Sequence, residues 1–354
     1  MTGPPGPDSV GSGRLHRLDA TPRTVHWGHF DASRAPVLDI ASGDLVDVRT
    51  VTHHAGDAPE LMMDAGIEAV YRGVPRSDRG PGGHILTGPI HVDGAVPGGM
   101  LVVRFLRVTP RRRHGSNVAA AWGELFEATG RRTRVTIYEL DPDGLVARGR
   151  FAYDAPDPTA PPGTVVHVPQ AEREAALAGV SVPVRPHLGV AGVAPDAPGR
   201  VSSVPPGRHG GNVDDRRIGA GATVFYAVEV PGARFSVGDP HLAQGDGELS
   251  GTAIEGSLDV RMQLVARPDI ALPSPLVQTA DEWIVHGFGD DLDGAMHAAA
   301  HHMLEFLTAG RGLSRQDAYS LMSVAVDFAV TQVVNGTKGV HARLARHVLA
   351  PGDV

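Results

Sequence analysis

The 354-residue sequence has no cysteine and a single lysine, Lys338. The first absence removes disulfides, thiolate-ligated zinc and every cysteine nucleophile. The second leaves a Ser–Ser–Lys amidase arrangement with only Lys338, in the turn-like stretch NGTKG, and the glycine- and serine-rich setting it needs is missing. No Gly-x-Ser-x-Gly elbow is present either, which argues against a serine triad. No apolar run is long enough for a membrane span, and no charged start leads into a hydrophobic leader core, so a cytoplasmic protein without a membrane partner is expected. Nor is there a positive excess. The 40 acidic and 32 basic residues leave a net charge of -8, with no broad attraction for nucleic acid.

Glycine and proline, by contrast, are abundant at 45 and 29 residues, and 42% of the chain is hydrophobic. That composition suits many short strands and turns around a substantial core. Residues 1–20 read as a flexible lead-in. Over 21–165, period-two alternation recurs in PVLDIASGDLVDVRTVTH, GPIHVDGAVPGGMLVVRFLRVTP and RRTRVTIYELDPDGLVARGRFAY. Turns are expected at Ser42-Gly43-Asp44, at 96–99 and at 141–144, so this region is read as an antiparallel β-sandwich.

The remainder, 166–354, is read as an α+β region. AEREAALAG predicts a short helix. GATVFYAVEVPGARFSVGD predicts two strands around Pro231-Gly232, and GSLDVRMQLVARP an edge or half-buried strand. Two principal helices follow. DLDGAMHAAAHHMLEFLTA spaces apolar residues by three and four, with Asp291 or Asp293 as a cap and Gly310 as a stop. SRQDAYSLMSVAVDFAVTQVV begins at Ser314 and is expected to run to Asn335-Gly336, with HARLARHVL as a further short helix.

Two glycine-framed stretches concentrate polar chemistry. In VGDPHLAQGDGELSGTAIE, an extended backbone would turn Asp239 and His241 to one side, and likewise Asp246 and Glu248. Gln244 and Glu255 belong to the same stretch. RHGGNVDDRRIG brings His209, Asn212, Asp214 and Asp215. HHAGD adds His53, His54 and Asp57, and GGHILTGP adds His84 and Thr87. Carboxylates and imidazole on backbone that glycine lets approach closely can hold a divalent cation. The plain alternative is a set of turns whose aspartates bond their own backbone.

These blocks carry a resemblance. GHILTGPIHVDGAVPGG, VPVRPHLGVAGVAP, the long GGNVDD-to-TAIE segment, and DDLDGAMHAAAHHMLEFL with LSRQDAYSLMSVAVDFAVTQVVNGTKGVHA together resemble the acetamidase/formamidase family, hydrolases of small amides. The resemblance implies a jelly-roll-like β-sandwich followed by an α+β part, a homo-oligomer of two or more copies, and a site lined by Asn212, Asp214, Asp239, His241, Gln244, Glu248 and Glu255. The expected roles are proton transfer by Glu248 or Glu255, a metal (zinc) held by Asp214, Asp239 and His241, and the amide held by Gln244 and Asn212. A non-catalytic binding protein on the same scaffold is the alternative. Departures from the family lie at His53-His54, at His91 and at His187-Leu188, positions that could reshape a pocket wall.

Overall fold

A computed structural model of the chain describes residues 13–349. Its strands form two large sheets. The nine-stranded sheet runs in space from Leu15–Leu18 through Leu45–Arg49, Leu258–Arg267, Met100–Pro110, Thr223–Ala227, Leu276–Gln278, Glu282–Gly289 and Lys338–Ala345 to Val326–Gln332. The eleven-stranded sheet is organised around the fully buried Phe235–Ala243 strand, which pairs with His187–Gly192, Ile254–Glu255 and Ile85–Val92.

The main core lies between the sheets, with Val46, Val103 and Met262 from the first against Ile90, Leu140 and Val237 from the second. Period-two alternation buries the other face of the nine-stranded sheet as well. Ile284 joins the inter-sheet core, while Trp283 and Val285 turn to the Leu292–Glu305 and Arg315–Ala325 helices. Full burial of each such side chain is worth about 1.5–3 kcal/mol. Asp291 caps the first helix through the Gly294 amide, and Ser314 caps the second through the Asp317 amide. The first helix ends in a wider turn, Phe306–Gly310, as its glycine stop predicts.

The structure corrects several expectations. The second helix stops at Ala325, and Val326–Gln332 becomes a strand paired with Lys338–Ala345. Its β-branched residues suit a sheet edge, and Asn335-Gly336 lies in the connection between those strands. HARLARHVL is therefore mostly strand, followed by a 3₁₀ turn at Arg346–Val348. AEREAALAG forms only a 3₁₀ turn, Gln170–Glu172, because Glu174 exchanges backbone hydrogen bonds with Ala152. The Pro59–Met62 and Ala65–Gly73 helices were not foreseen.

Only the turn at 141–144 closes a hairpin. Those at 42–44, 96–99 and 231–232 carry the chain from one sheet to the other. The Leu258–Arg267 strand is half-buried rather than an edge, and sits between Leu45–Arg49 and Met100–Pro110. Each sheet therefore takes strands from both sides of residue 165, so the expected division between 21–165 and 166–354 falls inside both sheets. The expected lead-in is shorter than twenty residues, since Leu15–Leu18 already pairs with residues 45–48; its residues 1–12 lie outside the described chain.

Candidate active site

The site begins at the His187–Gly192 strand, which lies between Gly210–Asn212 on one side and Phe235–Ala243 on the other. The GGN and GDPH stretches thus approach from its two sides, with Gly189 between them. A methyl group on Gly189 would stand 2.5 Å from Asp214 Oδ1 and 2.6 Å from His241 Cε1, and closer still to Asp239 Oδ2. The missing side chain is what lets three functional groups meet.

Asp214, Asp239 and His241 offer ligand atoms within 4.8 Å of one another, and so do His241, Glu248 and Glu255. His241 Nε2 lies 3.1 Å from Asp239 Oδ2 and 3.2 Å from Glu255 Oε1. On the far side of the ring, Nδ1 stands 3.0 Å from Gln244 Oε1, an atom that can only accept, so Nδ1 carries the hydrogen. Gln244 Nε2 donates in turn to the Asp214 carbonyl at 2.7 Å, and His187 Nε2 lies 3.0 Å from Gln244 Oε1. Gln244 therefore stands behind His241 and does not line the cavity. Its amide is committed to orienting the imidazole, which corrects its expected role as a holder of substrate.

Three of these acids sit on unusual backbone. Asp214, Asp239 and Glu248 have φ of 52°, 48° and 48°, in the left-handed region that side chains disfavour. Each such residue costs on the order of 1–3 kcal/mol, a cost that recurs at functional sites. The remaining acceptors are incompletely used. Asp214 Oδ1, Glu255 Oε2 and Asn212 Oδ1 are buried without a hydrogen-bond partner.

Electrostatics divides the carboxyls. Burial pushes Asp239 up, but the charges of His84 and His241 outweigh it and hold this carboxyl below its usual range. Burial, with help from Asp239, pushes Asp214 up to about 6. Burial and then the Asp214 charge push Glu248 well above its ordinary value. His241 moves the other way from what burial alone would do, because Glu255 and Asp239 hold its proton. One acid is kept ionised while two retain protons more readily, the pattern by which neighbouring carboxyls take different tasks.

Asp214, Asp239, Glu248 and Glu255 floor a cavity of about 400 Å³, with His241 behind them. His53, His54, Asp57 and His84 line it as well. Burial opposes a charge on both His53 and His54: it leaves His53 well below its ordinary pKa, whereas the Asp57 carboxylate 3.1 Å away takes His54 up to about 9.

Other candidates lie elsewhere. Thr87 donates to the Arg49 carbonyl, His209 packs edge-on against Phe30, and Asp215 is bonded to His286. Asp246 does not accompany Glu248 but pairs with Arg216 and Arg217. Of the family departures, His187 lies behind His241, Leu188 is in the core and His91 is near Asp93. Gly189 and Trp122 carry no sequence signal of a site, and Asn335, expected only as a helix end, donates its Nδ2 to Asp214 Oδ2. A lone asparagine in a turn carries no local signal of such a contact.

A buried cage of carboxylates around one imidazole, carried largely by strands of the eleven-stranded sheet, defines a polar, acceptor-rich site. Residues 197–342 match the Acetamidase/Formamidase family. It is 31% identical to an acetamidase of Mycolicibacterium smegmatis over 224 residues, 51% of this chain and 53% of that protein. It is 32% identical to a formamidase of Methylophilus methylotrophus over 144 residues, 35% of each. These matches span about half the length, or less, of the curated relatives. Among solved structures, an acetamidase from Bacillus halodurans superposes with a TM-score of 0.73 and 27% identity, covering 94% of this chain and 98% of that one.

Proposed function

We propose that the chain hydrolyses linear carboxamides to a carboxylate and ammonia, with Asp214, Asp239 and His241 holding a divalent cation, zinc by preference. One observation carries this reading. Several buried acceptors without donors converge on one imidazole, and no lysine or arginine lines the cavity to balance them. An acceptor-rich pocket of Asp, Asp and His suits a cation, and the hydrogen bond from Nδ1 to Gln244 leaves Nε2 facing the carboxylates. When bound, such a cation supplies Lewis acidity toward the amide carbonyl and the attacking water.

The residues of the chain do the rest. Glu248, with its raised affinity for a proton, takes one from water as the C–O bond forms, then gives it to the departing nitrogen as the C–N bond breaks. Glu255 and Asp239 hold His241 in place. Asn212 Oδ1 accepts an N–H of the amide and its Nδ2 faces the carbonyl oxygen, while Asn335 keeps Asp214 turned to the same point. Assembly as a homo-oligomer, cytoplasmic residence and a jelly-roll winding of the first half complete the proposal, resting on the family resemblance and the composition.

The test is ammonia release from formamide, acetamide and propionamide, with metal content measured before and after chelation and zinc readdition. Loss on chelation with recovery on zinc is expected. Full turnover in metal-free protein would remove the cation from the mechanism. No ammonia from any amide by the metal-loaded protein would leave a binding protein.

A further inference from the structure

The cavity is larger than its chemistry requires. Formamide and acetamide have three and four heavy atoms, whereas about 400 Å³ lies in the range of pockets that bury drug-sized ligands. Its surface is also divided. The floor is polar, with Asn212, Asp214, Asp239, Glu248 and Glu255. The wall is apolar, with Val118, Trp122, Val135, Tyr153, Pro156 and Pro162.

Trp122 is 54% exposed yet fixed in place. Its Nε1 donates to the Gly251 carbonyl at 3.0 Å, beside the loop that carries Glu248. Gly251 has φ of 111°, and a methyl group there would stand 2.7 Å from the indole nitrogen, so the glycine makes room for the ring. The prolines in the same lining restrict their own backbone, which lowers the ordering cost on binding.

We infer that this wall is an acyl subsite for a bulky, uncharged group, and that the substrates are aromatic or branched primary amides of about benzamide to phenylacetamide size. The inference rests on the proposed amide hydrolysis and names its substrate class. Polarity orients the substrate. With Asp214 assigned to the cation, Asn212 Oδ1 and Glu255 Oε2 are the acceptors left on the floor for the NH₂ group, and Thr133 Oγ1 and His53 Nδ1 are the other cavity-lining atoms without a partner. The one hydroxyl on the apolar wall just named, Tyr153, already donates to the Asp57 carbonyl. The acyl chain therefore points to the wall. Charge narrows the class further, because the described lining includes six acidic residues and no lysine or arginine, leaving imidazoles, His54 foremost, as the only cationic side chains a carboxylate on the acyl group could meet.

The experiment uses the full-length metal-loaded protein and compares kcat/KM for acetamide, isobutyramide, benzamide, phenylacetamide and 4-carboxybenzamide. The same amides are titrated calorimetrically into E248Q. A single methylene in an apolar pocket changes specificity roughly 10–200-fold. The expected result is a rise of at least ~10-fold from acetamide to the preferred aromatic amide, with 4-carboxybenzamide at least ~10-fold below benzamide. Trp122→Ala should lower the benzamide-to-acetamide ratio by at least ~5-fold, a readout that general misfolding would not move. Ammonia release with acetamide equal to or better than every larger amide overturns the acyl subsite and leaves hydrolysis standing. Binding of the aromatic amides without ammonia from any amide overturns the hydrolytic reading and this inference with it.

Discussion

Asp214 and Asp215 are consecutive, 2% and 0% exposed, and differ in almost everything else. Asp215 accepts from His286 Nε2 at 2.9 Å, from the Arg217 amide at 2.9 Å and from Arg217 Nη1 at 2.8 Å. Burial opposes its charge, yet the His286 bond and the charges of His286 and Arg217 hold it well below the usual range. Asp214 has one partner, Asn335, an empty Oδ1 and a left-handed backbone. Burial raises it to about 6. A buried charge whose bonds are complete ties strands together. One left incomplete, on strained backbone beside a cavity, is available for chemistry. Asp215 is thus structural and Asp214 is the one the proposed reading places at the reaction site, and the difference lies in their partners rather than in residue type.

The largest effect that should separate them is on turnover. E248Q keeps the shape of the catalytic cluster but cannot exchange a proton, so kcat should fall ~10²–10⁴-fold with little change in thermal midpoint. Turnover within a few-fold of wild type would remove Glu248 from proton transfer.

Next in size is the structural side. D215A strands a buried His286 and half of the Arg217 network, and should cost about 3–5 kcal/mol in denaturant unfolding at neutral pH. A loss below about 1 kcal/mol would mean that the pair is not what holds those strands.

The third prediction sets the two side by side. In metal-stripped protein, Asp214 binds its proton more tightly folded than unfolded. Its favourable contribution is therefore present below its ordinary pKa of 3.8 and is lost as pH rises toward about 6. D214N should accordingly gain on wild type between pH 4 and 7, by on the order of 3 kcal/mol at most. Asp215 has the opposite sign: its contribution is present above its ordinary pKa and is lost as pH falls through the depressed folded value. D215N should thus be worst at neutral pH and approach wild type in acid. Parallel pH dependences for the two variants would break the contrast.

Part of this was legible in one dimension. Asp239 and His241 are two apart in an extended stretch, a spacing that points both to one side, and they do meet, although Asp239 itself takes a left-handed backbone. Glycines around the acidic stretches announced close backbone approach. The Leu292–Glu305 helix and its aspartate cap were equally plain, although Leu292 and Met296, apolar at helical spacing, are exposed and Ala295, Ala299 and Met303 form the buried face. The connections were not. Three turns have the composition of hairpins yet pass between sheets, because a turn sets the local reversal of the chain and not which neighbour the next strand finds. Gln244 and Asn212 also looked interchangeable, both being carboxamides among glycines. Only the position of His241 commits the first to a supporting hydrogen bond while the second borders the cavity.

The sequence by itself determined a β-rich chain with helices near its end, free of cysteine chemistry and carrying acids and imidazoles on glycine-framed backbone. Those are consequences of residue type and spacing, which act over a few residues. Tertiary structure decided which acid is finished and which is left open. That outcome depends on Asn335 arriving beside Asp214, His286 beside Asp215, and Gly189 leaving a space between strands. Those meetings join residues far apart in sequence, and a carboxyl's charge state follows from the partners and burial it finds there.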